Sequence, residues 1–187
     1  MKKVFHVYVG DIRLNINHSG VLSENGDACI VPHYETGISL TGVSAAFIHS
    51  IARSSIIEYQ DYARDKKLEP GFSYVAASRG NYKYLIHTPA LRRYDEKNRE
   101  QVKLCMQLCI SSCLFATKNI KAKNIVIPSM NTGKNGVLIY EDAAKATYQA
   151  IIDFVEDTSK KTLKEITIVL RSKDAVEAYL KALSDFI

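Results

Sequence analysis

The sequence predicts an α/β protein, a three-layer α/β/α sandwich around a mixed, largely parallel central sheet. Three observations carry that prediction. Short runs of β-branched and aromatic residues, apolar nearly throughout, alternate with longer stretches of helical periodicity, the pattern of strands buried on both faces. Two of these strands lead through a glycine loop into a helix, once before Gly42–Ser44 and once before Tyr140. Ser78–Asn81 (SRGN) joins two further strands as a hairpin turn, which makes the sheet mixed.

Taken in order, Lys3–Val9 (KVFHVYV) reads as a strand rich in valine and aromatics. Gly10-Asp11 breaks it, and a loop of about fifteen residues follows, with Asn15, Asn17, Gly20, Asn25 and Gly26 as turn formers. Ala28–Val31 is a short buried strand stopped by Pro32. After the polar segment Pro32–Thr41, Gly42 opens a helix that runs to about Lys66, with Ser44 as its cap and Ala45, Ala46, Ile48, Ile51, Ala52, Ile56 and Tyr59 as its apolar face. Ser73–Ala77 and Tyr82–Thr88 are the hairpin strands, and a charged connection leads to a helix over Asn98–Thr117. Asn124–Ile127 is again a buried strand, ended by Pro128. Its loop holds Gly133 and Gly136, and a helix begins at Tyr140 with Ala143, Ala144, Ile151 and Val155 inward. Glu165–Leu170 is the last strand, and Ser172 caps a closing helix to Ala182.

A chain of 187 residues, 47% apolar and 24% charged, is expected to form one domain with a real core. The uncharged stretch Cys105–Thr117 is too short for a membrane span, and the opening MKKVFHVYVGD lacks the h-region of a signal peptide. A cytoplasmic protein is expected, with no membrane partner. Net charge is +5, modestly basic, and the Lys/Arg residues are dispersed apart from Arg92–Arg93 and the Lys118–Lys123 and Lys160–Lys164 groups. That balance suits anionic ligands and falls short of a nucleic-acid footprint, which needs clustering on one face.

Cys105, Cys109 and Cys113 fall along one helix stripe, and with Leu104, Leu108 and Leu114 beside them they read as core. With no C-x-x-C pair, neither these nor Cys29 suggest a metal site, and no cofactor is expected. His87, in an apolar strand, reads as a satisfied core histidine. A strand, a glycine loop and a helix together aim backbone N–H groups at an anion, above all a phosphate. An ordinary βα turn is the alternative. Two such units could converge on one diphosphate.

Together these residues resemble a macro domain, the ADP-ribose-binding module. The resemblance runs nearly end to end: Gly10-Asp11-Ile12, Asp27–Val31, Thr41–Ala46 (TGVSAA), Tyr84–Thr88 (YLIHT) and Pro128–Gly136 (PSMNTGKNG). It implies that Asp11, with Ile12 beside it, reads the adenine amino group, a donor that a carboxylate matches. It implies a first phosphate loop at Thr41, Gly42, Val43 and Ser44, and a second at Pro128, Asn131, Thr132, Gly133, Lys134, Asn135 and Gly136. Backbone amides would hold the diphosphate there, with the Lys134 side chain in solvent. ADP-ribose, free or on a macromolecule, is the partner implied.

The sequence also departs from the family. Pro32-His33-Tyr34-Glu35 stands where hydrolytic members carry N-A-A-N, the glycine run before Gly42 is missing, and Ser44 replaces the acidic residue of one branch. Cleavage at the distal ribose needs an oriented water. His33 and Glu35 are the nearby candidates for replacing that chemistry, with His49 beyond them; an exposed loop histidine is the plain alternative for His33. Three functions follow from the resemblance: binding of ADP-ribose or a related nucleotide diphosphate; removal of ADP-ribose or of the phosphate of ADP-ribose 1″-phosphate; or a ligand-less domain for protein contacts, its pocket filled by Tyr34, Glu35 and Ile38.

Overall fold

The computed structural model describes residues 2–34, 37, 39, 42–91, 98–132, 137–157 and 162–186, with side chains from residue 5 onward. In chain order the elements are β1 (Lys2–Val9), β2 (Ile12–His18), β3 (Gly26–Tyr34), α1 (Gly42–Ile48), α2 (Arg53–Ala63), β4 (Tyr74–Ala77), β5 (Tyr82–Leu91), α3 (Arg99–Asn119), β6 (Asn124–Pro128), α4 (Tyr140–Glu156), β7 (Glu165–Leu170) and α5 (Lys173–Leu183). The strands make one sheet in the order β1-β2-β7-β6-β3-β5-β4. Its inner strands β2, β7, β6, β3 and β5 run parallel, and β1 and β4 close the two edges antiparallel.

Alternation along the strands splits the core between two faces. Ile30, Ile86, Ile125, Ile127 and Ile168 pack beneath α3, α4 and α5, where Met106, Ile110, Phe154 and Tyr179 are buried. Their neighbours Cys29, Val31, Leu85, Val126 and Val169 face the other way, onto Phe47 of α1 and Ala52 and Ile56 around the start of α2. The expected three-layer α/β/α arrangement with a mixed, largely parallel sheet is what the structure has. Among the described residues no helix is long and apolar enough to cross a membrane.

Four local expectations are corrected. Ile12–His18 is a strand, not a loop: its Ile12, Leu14 and Ile16 point into the core, and it pairs in parallel with β7. Asn15 and Asn17, read as turn formers, are buried on the other face, where Asn15 Nδ2 donates to Thr167 Oγ1 (3.3 Å) and Asn17 Nδ2 to Glu24 Oε1 (3.1 Å). Pro32 does not stop β3; a register shift between Pro32 and Tyr34 absorbs the residue that has no N–H. The helix expected from Ser44 to Lys66 is two helices. Ser50 Oγ donates to Phe47 O (2.9 Å) and accepts from Ala52 N–H (3.1 Å), local bonds that replace helical ones at the break. Finally, Leu104 and Leu108 lie on the exposed side of α3, whereas Leu114 and all four cysteines are buried.

Ser172 caps α5 as expected, its Oγ accepting from Ala175 N–H at 3.2 Å.

Candidate functional site

Parallel strands all end on one edge of their sheet, and in α/β folds that edge carries the ligand crevice. Here β3 and β6 are adjacent partners, Ala28 opposite Ile125 and Cys29 opposite Val126. Each leads at its C-terminal end into a segment that starts a helix, β3 into α1 at Gly42 and β6 into α4 at Tyr140. Gly42 has φ +63°, in the left-handed region, with nothing within 4 Å of where a Cβ would stand. Backbone conformation, not crowding, makes glycine the fitting residue there.

The exit of β6 is pinned on both sides. Ser129 N–H donates to Val169 O of β7 at 3.3 Å, and Asn131 Nδ2 donates to Ala90 O of β5 at 2.7 Å. Because β3 lies between β6 and β5, the Asn131 bond spans the end of β3. Asn131 is itself left-handed (φ 58°), a conformation asparagine tolerates better than most residues, and its carbonyl accepts from Leu138 N–H at 2.9 Å. Ser129 Oγ and Thr132 Oγ1 are 2.7 Å apart. Pro128 is the buried last residue of β6. Val43 packs against the α1 side of the core, and Ser44 lies inside α1, not at its cap, fully buried with its Oγ unpartnered among the described residues. Thus Pro128, Asn131 and Thr132 stand where β6 ends, and Gly42, Val43 and Ser44 open the helix that follows β3. Thr41, Gly133, Lys134, Asn135, Gly136 and Glu35 lie outside the described residues.

The α4 N-terminus is already complemented by acids of its own first turn, Glu141 and Asp142, the latter paired with Arg99. Its dipole is therefore not a free anion site. Any phosphate here would depend on loop amides rather than on that helix end.

Asp11 and Ile12 are elsewhere. Gly10-Asp11 is the turn between β1 and β2, at the N-terminal end of the parallel strands. The Asp11 side chain is 67% exposed and pairs with Lys164 Nζ at 2.7 Å, just before β7 begins. Ile12 is wholly buried beneath α4 and α5. A strand of six residues separates that edge from the loops, roughly 20 Å at the usual rise. Asp11 therefore cannot read an adenine whose diphosphate sits between Gly42 and Asn131. At the loop edge of β2 stands a different carboxylate, Glu24, buried and accepting from Asn17 Nδ2 (3.1 Å) and Ser19 Oγ (2.5 Å).

His33 is not an exposed loop residue. It lies in β3 with 0% exposure, beside the equally buried His87 of β5. Ser39 N–H donates to His33 Nδ1 (3.4 Å), which leaves the His33 proton on Nε2. That Nε2–H donates to His87 Nδ1 (2.8 Å), and the His87 Nε2–H then donates to Ser55 Oγ (3.0 Å). Every ring nitrogen is used with both imidazoles neutral. Tyr59 stacks on both rings, with centroids 4.4 Å from His33 and 4.7 Å from His87. Burial drives His33 well below the usual histidine range, helped by His87, and burial takes His87 down to about 3. The pair is a structural tie between β3, β5, α2 and the segment at Ser39. Sequence reading found His87 as a core histidine but missed this pairing, because two histidines 54 residues apart carry no sign of adjacency. His49 is exposed just after α1. Among the described residues no group of three or more His, Cys, Asp or Glu is arranged to hold a metal ion.

Comparison with known proteins adds to this geometry. A Macro domain family model matches residues 35–147. The chain is similar to the Oceanobacillus iheyensis macrodomain with ADP, at 18% identity and TM-score 0.85, covering 100% of this chain and 98% of that one. It is similar to the same macrodomain with MES bound, at 19% identity and TM-score 0.83, over 97% and 96%. The Trypanosoma brucei macrodomain in complex with ADP-ribose is similar at 16% identity and TM-score 0.72, over 91% of this chain and 68% of that one. At these identities the likeness speaks for the fold.

Proposed function

We propose, for a chain that belongs to the macro domain family, that it binds ADP-ribose or a related nucleotide diphosphate, free or attached to a protein, at the edge where its parallel strands end. The observation that carries this reading is the adjacency of the parallel strands β3 and β6, whose C-terminal ends lead on to the helices that open at Gly42 and Tyr140. Thr41–Ser44 would supply one set of backbone amides, and Asn131–Gly136 with Pro128 the other. The Oceanobacillus iheyensis and Trypanosoma brucei macrodomains bound to ADP and ADP-ribose support the ligand class. Asp11 has no part in the proposed site.

The reading is binding without cleavage through His33. A base must reach the water it activates, and His33 is buried with both ring nitrogens committed. A cytoplasmic setting goes with the reading, in keeping with four buried free thiols.

Calorimetric titration with ADP-ribose tests it. Saturable binding to the native protein, weakened in Gly42→Val, is expected. No heat with ADP-ribose at about millimolar concentration would overturn it.

A further inference from the structure

The edge of the sheet opposite the proposed nucleotide loops holds a cavity of about 350 Å³, lined by Asp27, Lys83, Tyr84, Lys121, Lys123 and Asn124 among others. Three separate stretches of chain build it: the start of β3, the start of β5 and the turn between α3 and β6. The turn at Lys118–Lys123 is joined here to the segment Thr162–Lys164, far from it in sequence. Thr162 Oγ1 donates to Ala122 O (3.0 Å) and Lys164 N–H to Lys123 O (2.7 Å).

Charge is not balanced at this cavity. Its one acid, Asp27, is saturated: Oδ1 accepts from Lys83 Nζ (2.6 Å) and Oδ2 from Lys123 N–H (2.7 Å), while Asn124 Oδ1 holds the Asp27 N–H (2.6 Å). Three lysines against one aspartate leave the lining at +2. Lys118 and Lys164 close by are spent on Asp157 and Asp11. Lys121 and Lys123 have no ion-pair partner among the described residues, so their charges face the cavity and solvent uncompensated.

Lys121 also sits under backbone strain. It follows the end of α3 with φ 52°, the left-handed conformation that usually falls to glycine or asparagine after a helix. A lysine held there against its own backbone preference is the kind of outlier that points toward a function. Tyr84 and Ile120 add a partly apolar wall, and the volume lies in the range of small-ligand pockets.

We propose that this cavity is a second anion site, distinct from the ADP-ribose site, that takes a phosphate group carried on a nucleotide-sized unit. Lys121 and Lys123 supply the charge and Tyr84 a face for the base. The phosphate reaches it either as a free mononucleotide or as part of a single nucleic-acid strand.

The test follows backbone amide shifts of the full chain during titration with AMP, with a single-stranded oligonucleotide and with poly-glutamate, beside Lys121→Gly and Lys123→Gln. Lys121→Gly keeps the turn and relieves its strain, so its Tm should equal or exceed that of the native protein. Lost binding in that variant cannot then be ascribed to misfolding. The expected result is movement of the Lys121, Ala122 and Lys123 amides with AMP or the oligonucleotide, and affinity about three- to fivefold lower in each variant. ADP-ribose affinity stays unchanged in both. A salt slope for the oligonucleotide that drops by about 0.7 in Lys121→Gly identifies a strand as the source, and binding of AMP as tight as the oligonucleotide identifies a free nucleotide. Unmoved amides with both phosphate probes, native affinity in the variants, or equal binding of poly-glutamate would each overturn the proposal.

Discussion

Two neutral histidines buried in one network make the protein's stability depend on pH well above the range where carboxylates titrate. His87 is held near 3 against an ordinary 6.5, and His33 is also held well below 6.5. A histidine depressed in the folded state is protonated first in the unfolded chain. Its contribution to stability is therefore full above the unfolded pKa and declines as pH falls from there toward the folded value. At about pH 5, roughly 1.5 pH units below the unfolded pKa and still above the folded one, His87 withdraws about 2 kcal/mol at 1.36 kcal/mol per unit. His33, depressed in the same direction, adds to that loss, and His87's share alone is a sizeable part of the 5–15 kcal/mol that holds an ordinary domain. Asp27 acts in a lower window. Against the upward push of burial, Lys83 and the Lys123 N–H hold its carboxyl below 3.8, so its share is lost only as pH falls through that lowered value. Urea denaturation followed by circular dichroism at neutral pH and at about pH 5 reads the difference directly. His87→Gln should cost about 1–3 kcal/mol at neutral pH through its broken bonds, yet remove the His87 share of the acid dependence. Stability that is flat between those pH values, or a His87 imidazole titrating near 6.5 by NMR, would refute the reasoning.

Other perturbations have definite signs. Gly10→Ala combines a left-handed φ of +59° with a Cβ only 2.8 Å from Val155 Cγ1, and should cost about 1–3 kcal/mol in denaturant unfolding. Gly42→Ala meets the same backbone penalty in open space and should cost about 1 kcal/mol. Asn131→Ala loses the bond to Ala90 O and the residue's tolerance of φ 58°, so stability should fall by about 1–2 kcal/mol and ADP-ribose affinity with it; Asn131→Gly restores the backbone share alone. Asp11→Ala breaks an exposed pair, should change stability by less than about 1 kcal/mol, and should leave ADP-ribose affinity as it was.

Much of the fold was legible because the strands of a parallel core are apolar on both faces. Ile125–Ile127 and Ile166–Leu170 announce themselves by composition alone. β2 did not, since Asn15 and Asn17 look like turn formers until Thr167 and Glu24 are seen to accept from their Nδ2 atoms across the buried face. Yet its alternation, Ile12, Leu14 and Ile16 against Arg13, Asn15 and Asn17, was a period-2 signal present in the sequence. Missing that strand also hid the geometry of the turn before it. Once β2 runs parallel to β7, Asp11 must fall at the strand starts and not at the loops. The strand-to-helix segments at Gly42 and Asn131 were legible as a pair because each is local. The histidine tie was not, because it exists only once β3 and β5 lie side by side. Nor was the lysine cavity, whose charges come from segments that look dispersed along the chain.

The central claim, that the nucleotide diphosphate is held where β3 and β6 end, is tested most directly by mapping backbone amide shifts during an ADP-ribose titration. The amides of Gly42, Val43, Asn131 and Thr132 should move while those of Asp11 and Ile12 stay still. Shifts confined to the strand starts around Asp11, or no shifts at saturating ligand, would contradict it.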